Sequence, residues 1–500
     1  MIIRLHRGLQ SANACDIMLN MEKRRKNKGI TKERLGEIIA VSLLLAAIAA
    51  FAVWSFTADG LSPAGIIVSA MALTLLTVSS ALAVPKAVNF FRGYQTEKLS
   101  VAGERSARAR LMHPIVYVIL AALFARILLY IAAYLIDMAL NGYQGTIFYE
   151  LERIWLKADT DAPHYFSIAE NWYTTELPQG QNIVFMPLFP LAIRAFNLIF
   201  RSSFVSATVI NTLCSCGSAA VIYELALCDM GRRTSKVAVV FTFILPAAIF
   251  YAAPMSEAMF LLLSSAALLM LRKERFVFAS IFVALASFTR SLGIILLVPY
   301  VAEAVAYIAR FWRTWGREVL SRQLTRVILG FVLCFAGMFA YLLINRLIWG
   351  DWFKFLDFQQ NSWYQRPTFF LNTISMQTGY LFATFGSNNA AALGLWLPNL
   401  LYIFGALLVF IASARTLHSS YSLYFIAYFA VTCGASWLLS GPRYLTALVV
   451  IPLALARLCE SRDDGIGLAR ARAKTAAVTV ILLVCQAFYL LMYILRYNIY

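Results

Sequence analysis

The chain has 500 residues and a formal net charge of +18, yet only 14% of its residues are charged and 61% are hydrophobic. Its mean hydropathy is +0.71, and soluble domains carry about a quarter charged residues, so an ordinary soluble fold is excluded. Apolar runs near the length of a bilayer-spanning helix recur throughout, and short alternating segments of the β-barrel kind do not; the expected class is an all-α polytopic membrane protein.

The chain opens on a basic arm, 1–35, and its first apolar run begins near Ile38 without a cleavage site. An uncleaved first helix with its N-terminus inside is expected. Met21 precedes EKRRKNKGITKERL, itself an ordinary cytoplasmic start, so residues 1–20 read as an extension. Two spans, 36–56 and 64–84, and a basic linker follow, making 36–110 an appended two-helix module. The remainder, 111–500, is expected to be the main transmembrane domain. Its spans are 113–139, 203–228, 236–253, 256–271, 276–309 in two pieces around Arg290, 327–349, 393–412, 421–439, 443–458 and 475–495. With the first two this makes about thirteen crossings.

Basic residues cluster in the short gaps between these runs: Lys23–Lys28, Arg105–Arg110, Arg232–Lys236, Arg272–Arg275, Arg310–Arg326 and Arg462–Lys474. That is the pattern of cytoplasmic loops, and it accounts for the charge without a nucleic-acid partner. The same rule keeps 184–200, with prolines at 187 and 190, along the outer surface, and makes 369–386 re-entrant or interfacial. Two large external regions follow, 140–202 and 350–392. The eight cysteines are scattered, with no disulfide framework or zinc spacing.

The first external region contains WLKADTDAPHYFSIAENWY, from Trp155 to Tyr173. Tyr165, Ile168, Ala169, Trp172 and Tyr173 recur at helical spacing, with His164, Ser167, Asn171 and Thr174 opposite, which predicts a short interfacial helix. Asp161 stands at its N-cap and Pro163 in its first turn. A cap, worth about 1 kcal/mol, explains Asp161 but neither Asp159 nor His164. A second group falls at the outer ends of helices: Glu257 after Pro254, Arg290 between apolar runs, and Arg443 with Tyr444. An ionised side chain at bilayer depth costs about 2.5–3.5 kcal/mol and faces a cavity or a partner. A structural Glu257–Arg290 salt bridge is the plain alternative to a shared polar cavity.

Outward carboxylates beside arginines in an apolar surround suit glycosyl transfer from a lipid-linked sugar. Arginine binds the carrier phosphate, and an aspartate takes the proton of the attacking hydroxyl. No metal is required, although a divalent cation is compatible with the chemistry.

Trp155, Asp161, His164 and Tyr165, then IAENWY and FMPLFPLAIR, together resemble the first external loop of PIG-V-like mannosyltransferases. PAAIFYAAPMSEAMFLLLS (246–264), ASFTRSLGIILLVP (286–299), GDWFKFLDFQQNSWYQRP (350–367) and SGPRYLTALVVIPL (440–453) are similar to further parts of that family. The resemblance covers 113–458. It implies a GT-C fold, an inverting reaction and a polyprenyl (dolichyl-type) phosphate mannose donor, with a lipid or glycan acceptor. It places the acidic motif of the first external loop on Asp159 and Asp161. Trp155 stands six residues before Asp161 rather than beside it, which keeps both aspartates as candidates for the base. His164 and Tyr165 are then donor or acceptor contacts, Arg290 and Arg443 bind phosphate, Glu257 orients one of them or a sugar hydroxyl, and Tyr444 joins them. Short cytoplasmic loops suit a prokaryotic cell membrane, with the active site on the extracytoplasmic face. Other GT-C enzymes (protein O-mannosyltransferases, arabinose or aminoarabinose transferases) and a lipid or sugar transporter remain open.

Overall fold

The computed structural model describes residues 38–39, 41–58, 60–91, 108–143, 145–156, 160–312, 316–460, 465–497 and 499. The N-terminal arm, part of the basic linker and Asp159 lie outside the described residues. The helices, in order, are α1 (Val41–Thr57), α2 (Pro63–Phe91), α3 (Arg108–Asn141), α4 (Ile147–Trp155), α5 (Ala162–Asn171), α6 (Leu188–Phe200), α7 (Ser203–Leu227), α8 (Arg232–Ile244), α9 (Glu257–Arg272) and α10 (Phe276–Thr289). They continue as α11 (Leu297–Phe311), α12 (Arg317–Leu333), α13 (Ala336–Trp349), α14 (Lys354–Asn361), α15 (Phe370–Thr384), α16 (Asn389–Ser413), α17 (Ser419–Cys433), α18 (Gly441–Thr446), α19 (Val450–Leu458) and α20 (Gly465–Ile494).

The protein is all-helical, as the hydropathy requires: lipid offers backbone groups no partners, so they must be satisfied within helices. Among the described residues the sole β pairing is one antiparallel bridge between Pro367 and Ala435. Among the described residues seven helical stretches are long and apolar enough to cross a membrane. Several expected spans are instead short helices joined by 3₁₀ turns. The run 236–253 becomes α8 followed by a 3₁₀ turn at Pro246–Tyr251, because Pro246 cannot continue the hydrogen-bond ladder. The run 276–309 breaks at Arg290, whose backbone is extended (φ −150°, ψ 141°). The chain then folds back so tightly that a Cβ on Gly293 would lie 2.3 Å from the Ala286 carbonyl carbon. Only glycine permits that reversal, and it leaves Arg290 at the turn.

α6 has 13 residues and α15 has 15; at 1.5 Å per residue both fall short of the ~30 Å hydrocarbon core. α6 packs on α5 and α7, while α15 lies against α2. Trp54 Nε1 donates to Asn372 Oδ1 at 2.6 Å and Ser69 Oγ to the Leu371 carbonyl at 3.2 Å, so the first two helices are fastened to the second external region. α2 also touches α16 and α17.

At the centre α7 packs on α9, α9 on α10, and α10 on α12 and α13. The two ends of this bundle differ chemically. One gathers ion pairs at the basic loops: Arg272–Asp229 at 2.5 Å, Lys273–Glu224 at 2.5 Å and Arg310–Glu274 at 2.7 Å. Glu303, buried, accepts from Ser420 Oγ at 2.7 Å near the same end. The opposite end carries Glu257, Arg290 and the segments that contain Asp161 and Gln359. Asp137 belongs to a separate cluster with Arg153, which also holds Glu150 at 2.8 Å.

Candidate active site

Two helix starts build the site, and neither uses its N-cap residue as a cap. Asp161 precedes α5 with helical backbone angles (φ −69°, ψ −16°) and makes no side-chain capping hydrogen bond. Its carboxylate turns to Arg443, with Nη2 2.9 Å from Oδ2. Ser256 precedes α9 and likewise caps nothing. Its hydroxyl meets the Tyr165 hydroxyl at 2.9 Å and accepts from Arg290 Nη1 at 3.1 Å. Both side chains that helix-start rules would spend on backbone amides are committed to tertiary contacts.

Glu257, the first residue of α9, is 1% exposed. Its Oε1 pairs with Arg290 Nη1 and stands 3.2 Å from Arg443 Nε. One carboxylate therefore sits between two guanidinium groups, and Asp161 supplies the second negative charge. The Tyr444 ring takes both cations, with Arg290 5.0 Å and Arg443 5.3 Å from its centroid, and Arg443 also lies 5.7 Å from the Phe250 centroid. Aromatic faces stabilise cations where water is excluded. Arg443 is 3% exposed, and its Nη1 is 3.5 Å from Met255 Sδ.

The turn that presents Ser256 and Glu257 is held from behind by Arg126 of α3. Its Nη1 donates to the Tyr251 carbonyl at 2.6 Å and its Nη2 to Tyr130 Oη at 3.0 Å; that hydroxyl in turn donates to the Ala252 carbonyl at 2.8 Å. Asn211 Nδ2 donates to the carbonyls of Ala253, at 2.6 Å, and Met255, at 2.9 Å. A non-helical segment at this depth needs such donors, because lipid supplies none.

Asp161, Tyr165, Arg290, Arg443 and Tyr444 all line a single cavity of about 390 Å³. Glu257 does not line it but joins the two arginines beneath its wall. Asp161 is the accessible acid, with 24% of its side chain exposed against 1% for Glu257. The expected Glu257–Arg290 pair is present, and it is one edge of the cavity rather than an alternative to it. Tyr165 is buried; burial raises its phenol well above the usual value, and the neighbouring Asp161 carboxylate adds to the shift.

His164 lies outside the cavity lining. Its Nδ1 is 2.8 Å from Asn182 Oδ1, and its ring stacks on Phe185 at 4.8 Å and 16°. Phe185 lines the cavity, so His164 supports the wall from behind. Asp159 lies outside the described residues.

Sequence reasoning did not single out Ser256, Phe185, Gln359, Trp363 or Gln365. The last three line the cavity from α14 and the segment that follows it. That region is tied to the loop before α18 by Thr368 N–Gly434 O at 2.7 Å and Ser436 N–Arg366 O at 2.9 Å. The available signal was WYQRP, polar and aromatic residues directly before a proline. Among the described residues no group of three or more His, Cys, Asp or Glu side chains gathers as a metal site would require.

No protein-family model matches the chain. No curated protein matches it either. Solved structures to which it is similar include the oligosaccharyltransferase of Archaeoglobus fulgidus in the apo form, with 13% identity and a TM-score of 0.37 over 74% of this chain and 55% of that one. Another is the same archaeal enzyme, AglB, in complex with an inhibitory peptide and a dolichol-phosphate, with 13% identity, a TM-score of 0.37 and the same coverage. A third is that enzyme tethered to an acceptor peptide, with 15% identity and a TM-score of 0.36 over 73% of this chain and 55% of that one. The chain thus spans about half the length of the solved structures it matches.

Proposed function

We propose that the cavity is the active site of an inverting glycosyltransferase of the GT-C type. It moves a sugar from a polyprenyl phosphate to a hydroxyl of a lipid or glycan acceptor. The observation that carries this reading is the meeting of Asp161, partly open to the cavity, with two buried arginines on the wall of the same cavity. Arginine recognises phosphate through its planar fork of donors, and a carboxylate within reach is the simplest acceptor for a hydroxyl proton.

The acceptor oxygen attacks the anomeric carbon as the bond from that carbon to the phosphate oxygen breaks. The electron pair leaves on the phosphate, where Arg290 and Arg443 face the growing negative charge. The hydroxyl proton passes to Asp161 through Oδ1, the oxygen not paired with Arg443. Glu257 holds both guanidiniums in place and keeps the empty site near neutrality. Because the arginines supply the positive charge, no metal is required, and turnover should survive chelation.

Mannose as the sugar is the finer part of the proposal, as are the extracytoplasmic side and a prokaryotic membrane. The sugar follows from the resemblance of the external-loop residues to PIG-V-like enzymes. The side follows from the position of the cavity at the bundle end away from the basic loops. The decisive experiment incubates purified protein with labelled polyprenyl phosphate mannose and membrane lipid extracts, with and without chelator. A labelled product is expected, and carriers of other sugars, tested in parallel, establish which one is used. Movement of the labelled carrier across vesicles without any new glycosidic bond would replace this reading with transport.

A further inference from the structure

Part of the cavity lining has a different chemistry from the arginines. It includes Val184, Phe185, Met186, Gln359, Trp363 and Gln365, none of them charged. Trp363 stands at 81° to Phe185, with ring centroids 5.7 Å apart, and at 66° to His164 at 6.0 Å. The stacked His164–Phe185 pair therefore braces the indole, and His164 is itself fixed by Asn182. The two glutamines form a directed chain. Gln365 Nε2 donates to the Trp437 carbonyl at 3.1 Å, and Gln359 Nε2 donates to Gln365 Oε1 at 2.5 Å. The chain starts from the amide of Gln359, a residue of the cavity lining whose side-chain carbonyl is an acceptor.

A rigid aromatic ring beside amide groups is poorly matched to phosphate and well matched to a neutral hydroxylated ring. Pyranose faces present C–H bonds, which suit the negative face of an indole, and their hydroxyls donate to amide carbonyls. We infer that Trp363, Gln359 and Gln365 form a pyranose-binding subsite that selects the sugar by its hydroxyls, separate from the arginine wall that holds phosphate. This rests on the proposed glycosyl transfer and assigns the sugar a place within it. The ring in question belongs either to the donor or to a glycan acceptor, and both present the same chemistry.

The test measures binding of short-chain polyprenyl phosphate, with and without a mannosyl group, to detergent-solubilised full-length protein. The variants are Trp363→Ala, Trp363→Phe, Gln359→Leu and Arg290→Ala, each checked by thermal unfolding. For a donor sugar, Trp363→Ala and Gln359→Leu weaken the mannosylated carrier about tenfold and leave the bare carrier unchanged. Trp363→Phe restores most of the loss, which a merely folding-related effect would not do. For an acceptor sugar, the same two variants leave both carriers unchanged and raise the KM for a glycan acceptor by a similar factor. If neither carrier binding nor acceptor KM responds to Trp363→Ala and Gln359→Leu, or if both carriers weaken equally, the subsite is overturned. Arg290→Ala decides the other question: it weakens both carriers if the phosphate reading holds. Binding unchanged in Arg290→Ala alone would remove that reading while leaving the sugar subsite to stand on its own result.

Discussion

Asp161 Oδ2 lies 2.9 Å from Arg443 Nη2, although 282 residues separate the two in the chain. The contact joins the start of α5 to the start of α18. It holds Asp161 beside a buried cation, with its second oxygen free to meet an acceptor. Asp161→Asn keeps a hydrogen-bond acceptor for Arg443, and Arg443 keeps Glu257, so the fold is retained. Turnover should fall by about 10²–10⁴-fold, the usual worth of a general base, with an unfolding temperature close to that of the parent. Near-normal turnover in this variant would take the proton-accepting role away from Asp161.

Glu257 separates two guanidiniums that would otherwise face each other in a dry interior. Glu257→Gln should lower stability by about 3–5 kcal/mol, the range for a broken buried ion pair. Removing Arg290 as well relieves part of that cost. The double variant Glu257→Gln/Arg290→Gln should therefore be more stable than the sum of the single changes predicts. Thermal unfolding in detergent measures the coupling, and strict additivity would mean that the two side chains do not share one charge cluster.

Arg126 satisfies carbonyls of the turn before Glu257. Arg126→Leu leaves the Tyr251 carbonyl without that donor, and an unmet buried acceptor costs about 1–3 kcal/mol. Turnover should fall with it, since Ser256 and Glu257 are carried by the same turn. Arg126→Lys offers one cation in place of a planar fork and should restore stability only in part. Full stability in Arg126→Leu would show that Asn211 and Tyr130 hold the turn unaided.

Tyr165 gives a prediction with a pH sign. Its phenol is held above the ordinary value of about 10, because burial opposes the phenolate and the Asp161 charge reinforces this. The native state thus keeps the proton where the unfolded chain would release it. The resulting stability is fully present below the unfolded value and is lost as pH rises through the folded one. Tyr165→Phe removes one hydrogen bond, worth about 1 kcal/mol, by an amount that stays constant at any pH below about 10. A stability difference that varied across that range would mean that the phenol titrates there.

Much of this protein was legible in its residues. The recurrence of apolar runs, the basic gaps and the break at Arg290 follow from local chemistry, because lipid tolerates only satisfied backbone and turns require particular residues; the break at Pro246 falls inside a run that reads as one span. Ionisable residues inside apolar runs stand out, so Glu257, Arg290 and Arg443 are conspicuous from their sequence neighbours alone. The spacing of His164 and Asp161 in one short segment also suggested a shared purpose, yet the fold turns His164 to Asn182 and Asp161 to Arg443. A residue's position on a helix fixes its face, but which partner waits there depends on distant segments. For the same reason Asp161 reads as a helix cap, and its ion pair with Arg443 exists only once α5 and α18 are packed together. The part of the lining formed by Gln359, Trp363 and Gln365 was the least visible, since these residues of α14 and the segment after it stand out only when they are seen to line the cavity, next to the Pro367–Ala435 pairing. Composition and charge thus determined that the chain enters a membrane and which of its ends is basic. The convergence of Asp161, two guanidiniums and aromatic rings on one cavity, with Glu257 beneath its wall, was decided by tertiary packing, which alone brings residues so far apart in the chain within hydrogen-bond reach.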